Sequence, residues 1–153
     1  MEACLRQAIR LAGESAAGGG GPFGAVVARD GEILGQGRNR VTATNDPTAH
    51  AEVVAIRDAC SRLGSFSLAG CELYASCEPC PMCLGAILWA RLDCVVYACG
   101  RADAARVGFD DARFYEEMAR LPEQRALPMS QALRDEGLAA FVAWQANAGR
   151  MPY

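Results

Sequence analysis

The chain has 153 residues, 52% hydrophobic and 22% charged, a balance that suits one compact domain with an apolar core. Its formal net charge is −3, with none of the basic surface that polynucleotide binders use to neutralise phosphates, so a small-molecule partner is favoured over nucleic acid. All 15 basic residues are arginine and His50 is the single histidine, which excludes lysine Schiff-base chemistry, a P-loop lysine and any site needing two imidazoles.

No apolar run approaches the roughly 18–20 residues that span a bilayer, and MEACLRQAIR lacks the unbroken apolar stretch of a signal peptide. The expectation is a cytoplasmic protein without a membrane partner, its eight cysteines reduced. Cys4, Cys60, Cys71, Cys94 and Cys99 sit in apolar surroundings and read as small core residues.

Leu5, Ile9, Ala12 and Ala16 recur at helical spacing and predict an opening helix over 2–17, ended by the glycine run 18–21. Asp30-Gly31 is a short hairpin signal joining strands 23–29 and 32–37. After a polar loop, Asp46-Pro47 resembles a helix start, and 48–63 forms a helix stopped by Gly64. CELYAS (71–76) is a strand, 81–90 a helix, and CVVYAC (94–99) a second buried strand. Residues 111–120 predict a helix, 127–133 a last strand and 136–148 a closing helix. Strands alternating with helices argue for an α/β sandwich whose later strands are parallel, in one domain over 1–153.

SCEPCPMC (76–83) sets three cysteines at equal spacing among prolines. An iron–sulfur cluster would want a fourth thiolate, and Cys94 and Cys99 fall in predicted strands. A redox C-x-x-C pair is a second reading. Pro79 and Pro81 look instead like helix-start chemistry, with Cys80 as the cap. That places Cys80 and Cys83 on one face of a helix N-terminus, where free N–H groups and the dipole favour thiolate.

Zinc held by two thiolates needs at least one further protein ligand, and His50 in PTAHAE supplies it. A Cys2His set leaves one position open, which is a catalytic rather than a structural arrangement. His50-Ala51-Glu52 followed by Pro79-Cys80-Pro81-Met82-Cys83 matches H-x-E…P-C-x-x-C, the signature of zinc nucleobase deaminases. Glu52 is then the acid/base candidate. Residues two apart on a helix point roughly 200° away from each other, so His50 and Glu52 converge only if the metal lies across the helix end. Cys77 falls outside the pattern at a strand end and is expected not to be a ligand.

With GGPFGAVVARDG (20–31), NDPTAHAEVVAIR (45–57), SCEPCPMCLGAILWAR (76–91), GFDDARFY (108–115) and the terminal tyrosine, the chain resembles the cytidine deaminase-like superfamily nearly end to end, and most closely its short bacterial guanine deaminases. That resemblance implies a three-layer α/β/α fold around a five-stranded mixed sheet, with one zinc ion per subunit between two helix N-termini. It implies deamination of guanine to xanthine and ammonia, as in purine catabolism. By position, Phe23 would stack on the purine, Asn39 would hydrogen-bond it, and Ala51 and Trp89 would contact it. Asp111, or its neighbour Asp110, would be a second proton shuttle. Tyr153 would close the pocket, with the C-terminal segment exchanged between the subunits of a homodimer.

Other readings share the motif. Guanosine, cytosine, cytidine and guanine-like triazines all suit a small deaminase pocket. A tRNA adenosine substrate conflicts with the acidic charge balance and with LAAFVAWQANAGR, which carries one arginine. A structural zinc-binding module would need a fourth protein ligand, with Cys77 the candidate.

Overall fold

The computed structural model describes all 153 residues, which divide into two compact units, Met1–Tyr115 and Glu116–Tyr153. The first unit opens with helix α1 (Glu2–Ala17), capped at its C-terminus by Gly18. Strands β1 (Gly24–Arg29) and β2 (Glu32–Arg38) form an antiparallel hairpin. Asp30 and Gly31 turn it with φ of 52° and 83°, the doubly left-handed geometry that a tight hairpin demands.

Beyond β2 come a short helix α2 (Val41–Thr44) inside the predicted loop, helix α3 (Ala51–Leu63) and strand β3 (Glu72–Cys77). Helix α4 (Pro81–Trp89), strand β4 (Cys94–Cys99) and helix α5 (Arg101–Arg106) follow, and helix α6 (Asp111–Ala119) begins at Asp111. The second unit holds a single 3-10 turn at Pro122–Gln124 and helix α7 (Arg134–Ala146).

The sheet runs β2-β1-β3-β4, with β1 antiparallel to both neighbours and β3 parallel to β4. Alternation along the strands sends side chains to two faces. Ala25, Val27, Leu73 and Ala75 pack with Ala51, Ala55, Ile56 and Ala59 of α3 and Ile87 of α4. On the other face Val26, Ala28 and Tyr74 meet Cys4 and Leu11 of α1. Helix, sheet and helices therefore form three layers in the first unit.

Four expectations are corrected. The sheet is mixed but four-stranded, not five-stranded. The predicted last strand, 127–133, is exposed and pairs with nothing; Pro128 has no N–H to give a ladder. In consequence β4 is an edge strand and largely exposed rather than buried, which leaves Cys94 and Cys99 on the surface instead of in the core.

The fourth correction concerns the start of α3, which begins at Ala51 rather than 48. Asp46 Oδ1 accepts hydrogen bonds from Thr48 N at 2.8 Å and Thr48 Oγ1 at 2.7 Å, a local turn that competes with helix capping. His50 becomes the N-cap, extended at φ −68°, ψ 154°. Strand β2 lies directly under this helix start. A Cβ added at Gly37 would meet the Ala51 carbonyl and lie 2.6 Å from Ala55 N, so only glycine permits the approach.

Candidate metal centre and active-site cavity

Two helix N-termini meet at the site. Cys80 caps α4 in the extended conformation (φ −69°, ψ 168°), with Pro81 in the first turn, and the same helix carries Cys83. His50 caps α3 and Glu52 sits in its first turn. Since His50 is not itself helical, the opposed directions of residues two apart on a helix do not apply. Both side chains reach one cavity.

His50 Nδ1 lies 3.6 Å from Cys80 Sγ and 3.5 Å from Cys83 Sγ. All three donor atoms fall within 4.8 Å of one another. Tetrahedral zinc with bonds of about 2.0–2.3 Å places its ligand atoms about 3.5 Å apart. The donor set and its spacing therefore fit zinc and leave a fourth direction open.

The electrostatics agree with ligand chemistry. Hydrogen bonds from the Cys83 thiol and from His50 bring Cys80 down to about 4, so Cys80 ionises first. Cys83, which keeps the proton it shares with Cys80, is pushed up. The Cys80 thiolate in turn raises His50. Glu52 is buried, and loss of hydration pushes its carboxyl up to about 7. Asp111 is also raised, first by burial and then by the Cys80 thiolate.

The cavity has a volume of about 420 Å³, within the range of small-ligand pockets. Phe23 and Phe109 form one wall, edge to face at 79° with centroids 4.7 Å apart. Asn39 stands on another wall. Its Oδ1 accepts a hydrogen bond from Val41 N at 3.3 Å. Asp111 lines the cavity, whereas the Asp110 carbonyl accepts from Phe114 N at 3.4 Å, so Asp110 serves the helix start.

Phe23, Asn39, His50, Glu52, Cys80 and Asp111 thus share one cavity. Cys83 completes the donor set from beneath, fully buried. The remaining candidates stand elsewhere. The Ala51 methyl is packed into the core, which leaves only its backbone N–H for a ligand. Trp89 ends α4 and is exposed, with the Arg91 guanidinium 5.8 Å from its ring. Tyr153 closes the second unit and is exposed, while the cavity walls all come from the first unit. Cys77 ends β3, registered against Cys99, with Sγ 3.7 Å from the Gly100 carbonyl.

Some wall residues escaped the sequence reading. The glycine run 18–21 is read from the sequence as a helix stop, yet Gly19–Gly21 and Pro22 form part of the rim. Thr42 sits in a segment taken for featureless loop. Glu78 and Phe109 lie inside the motifs SCEPC and GFDD, so proximity to Cys80 and Asp111 was their available signal.

Comparison with known proteins agrees with this geometry. A sequence profile of the cytidine and deoxycytidylate deaminase zinc-binding region matches residues 1–99. The chain is 52% identical to a guanine deaminase of Bacillus subtilis over 153 residues, 99% of this chain and 98% of the relative. A solved structure of guanine deaminase from Bacillus subtilis superposes with a TM-score of 0.95 at 52% identity, covering 99% of this chain and 98% of the other. A tRNA-specific adenosine deaminase of Aquifex aeolicus is 43% identical over 94 residues, 61% of this chain and 62% of that protein.

Proposed function

The chain belongs to the cytidine and deoxycytidylate deaminase family, and from that premise we propose that it is a zinc-dependent hydrolase converting guanine and water to xanthine and ammonia. The observation that carries the reading is the convergence of His50, Cys80 and Cys83 beside the buried carboxyl of Glu52. Full-length similarity to a guanine deaminase supports guanine as the base.

Zinc held by His50, Cys80 and Cys83 supplies a Lewis acid that makes water nucleophilic at neutral pH. Glu52 takes the proton of the attacking water and delivers it to the ring nitrogen beside C2. Poised near neutrality, its carboxyl can both accept and return that proton. Asp111, with its raised pKa, is the second group able to protonate the departing amine. Phe23 stacks on the purine, braced by Phe109, while the Asn39 amide donates to a purine acceptor and the Ala51 N–H offers a second donor.

The working unit is taken to be a homodimer in the cytoplasm, with the C-terminal unit exchanged so that Tyr153 closes a pocket. Support comes from the separate compactness of Glu116–Tyr153 and from Leu138, Phe141, Val142 and Trp144 of α7, all exposed. Any contact of Trp89 with substrate would come through the same subunit arrangement. No helix is long and apolar enough to cross a membrane.

The reading is tested by incubating zinc-replete protein separately with guanine, guanosine, cytosine, cytidine and adenine and measuring ammonia. Guanine is expected to release it fastest. Ammonia from another base with none from guanine would overturn the substrate while leaving the family intact.

A further inference from the structure

We propose that Arg101 and Tyr115 are positioning residues that hold Asp111 against the Cys80 turn during the reaction. The proposal rests on the assignment of Asp111 as a proton donor. Asp111 and Tyr115 stand four residues apart on α6 and therefore share a face of that helix. Tyr115 Oη donates a 2.7 Å hydrogen bond to the carbonyl of Pro79, the residue before Cys80. The helix that carries Asp111 is thereby tied to the loop that carries a zinc ligand.

Arg101 reinforces the tie from a third segment. Its guanidinium lies 4.2 Å from the centroid of the Tyr115 ring, a cation–π contact that fixes the ring plane. The same guanidinium pairs with Glu78 Oε1 at 2.7 Å, and the backbone N–H of Arg101 donates to Glu78 Oε2 at 3.0 Å. Glu78 itself lines the cavity beside Cys80. The start of α5, the second turn of α6 and the Glu78–Cys80 loop are thus joined at one point. Neither Arg101 nor Tyr115 lines the cavity, so they act through Asp111 rather than on substrate.

Proton transfer depends steeply on distance and direction, so loosening this tie should slow turnover more than it weakens binding, which falls to Phe23 and Asn39. Tyr115→Phe keeps the ring under Arg101 and removes only the hydrogen bond to Pro79. In zinc-loaded protein it is expected to lower kcat about tenfold, with KM changed by less than about twofold and full zinc content. Arg101→Lys keeps the charge but loses the planar stack and should move kcat in the same direction; it carries the test if Tyr115→Phe does not fold.

The deciding measurement is a double-mutant cycle with Asp111→Asn. Once Asp111 cannot donate, Tyr115→Phe should cost less than about twofold further. An equal cost in both backgrounds would make Tyr115 a merely structural residue and overturn the proposal. Asp111→Asn without effect on turnover would remove the role of Asp111, and the clamp with it. A slow Asp111→Asn beside a fully active Tyr115→Phe would leave Asp111 in place and overturn the clamp alone.

Discussion

His50 and Cys80 occupy equivalent positions on two helices, each the extended residue immediately before the first turn of α3 or α4. Two helix N-termini therefore aim at one point, and their unpaired N–H groups and dipoles favour negative charge there. Hydrogen bonds from the Cys83 thiol and from His50, which bring Cys80 down to about 4, favour thiolate at the same point. His50 and Cys83 go the other way and retain their protons, because both are bonded to that thiolate. Zinc uptake must expel those protons, so affinity should rise with pH and fall as pH drops through the raised pKa of His50. Competition with a chromophoric chelator between about pH 6 and about pH 8 reads this directly. An affinity independent of pH would contradict it.

Glu52→Gln preserves size and leaves the three zinc ligands untouched, but it removes the group proposed to carry the proton. Zinc content should stay at one per chain while kcat falls by about 10²- to 10⁴-fold, the usual worth of a general acid–base. Near-normal turnover in metal-replete Glu52→Gln would sink the assignment.

The same carboxyl should leave a mark on the stability of zinc-free protein. Glu52 titrates near 4.5 when unfolded and at about 7 when folded, so the folded state binds the proton more tightly. That contribution is fully present below the unfolded value and is lost as pH rises through the folded one. Across the window it amounts to about 3 kcal/mol. Cys80, brought down to about 4, works in the opposite sense across the same window, so the measurement is the difference in urea resistance between wild-type and Glu52→Gln protein after chelator treatment. The stability of the wild type relative to Glu52→Gln should fall as pH rises through the window, and a difference independent of pH would refute the reading.

Periodicity and turn chemistry located the elements well where the residues themselves decide the structure. Asp30-Gly31 needs left-handed backbone and gets it, and Gly64 ends α3 at a φ of 61°. The ligand set was legible for the same local reason, since a proline after Cys80 fixes the helix start that brings Cys80 and Cys83 together. Failures came where pairing at a distance decides. An apolar strand like CVVYAC looks buried whether or not a neighbour covers it, and in this sheet only β3 does. The exact start of α3 turned on whether Asp46 spent its side chain on Thr48 or on the helix. Glu78 and Tyr115 carried no periodic signal, because their importance comes from Arg101 and Pro79 in other segments.

Gly37 is a long-range requirement of that kind. Its missing side chain is the space occupied by the backbone of Ala51 and Ala55, immediately after His50. Gly37→Ala would push α3 off β2 and should cost about 1–3 kcal/mol, the range for overpacking a tight contact. Because the displaced residues adjoin the ligand and the acid–base group, zinc affinity and kcat should fall together with Tm. Gly13→Ala, inside α1 where no atom lies within 4 Å, serves as the control: it should leave zinc affinity and kcat unchanged and raise Tm slightly, since alanine is the better helix former.

The role proposed for Asn39 allows loop structure to be separated from recognition in a single residue. Its Oδ1 holds the Val41 N–H, its backbone carbonyl accepts from Ser15 Oγ at 3.2 Å, and its N–H donates to the Phe23 carbonyl at 3.0 Å. Asn39→Asp keeps every one of these bonds and replaces only the Nδ2 donor with a carboxylate oxygen. A purine acceptor would then face an acceptor, an unpaired contact that costs about 1–3 kcal/mol. Tm and zinc content should be unchanged while KM for guanine rises at least about tenfold. Asn39→Ala should instead lower Tm as well, because the loop bond to Val41 is lost. Unchanged KM in Asn39→Asp would show that guanine is held by other groups, with the backbone N–H of Ala51 the next to examine.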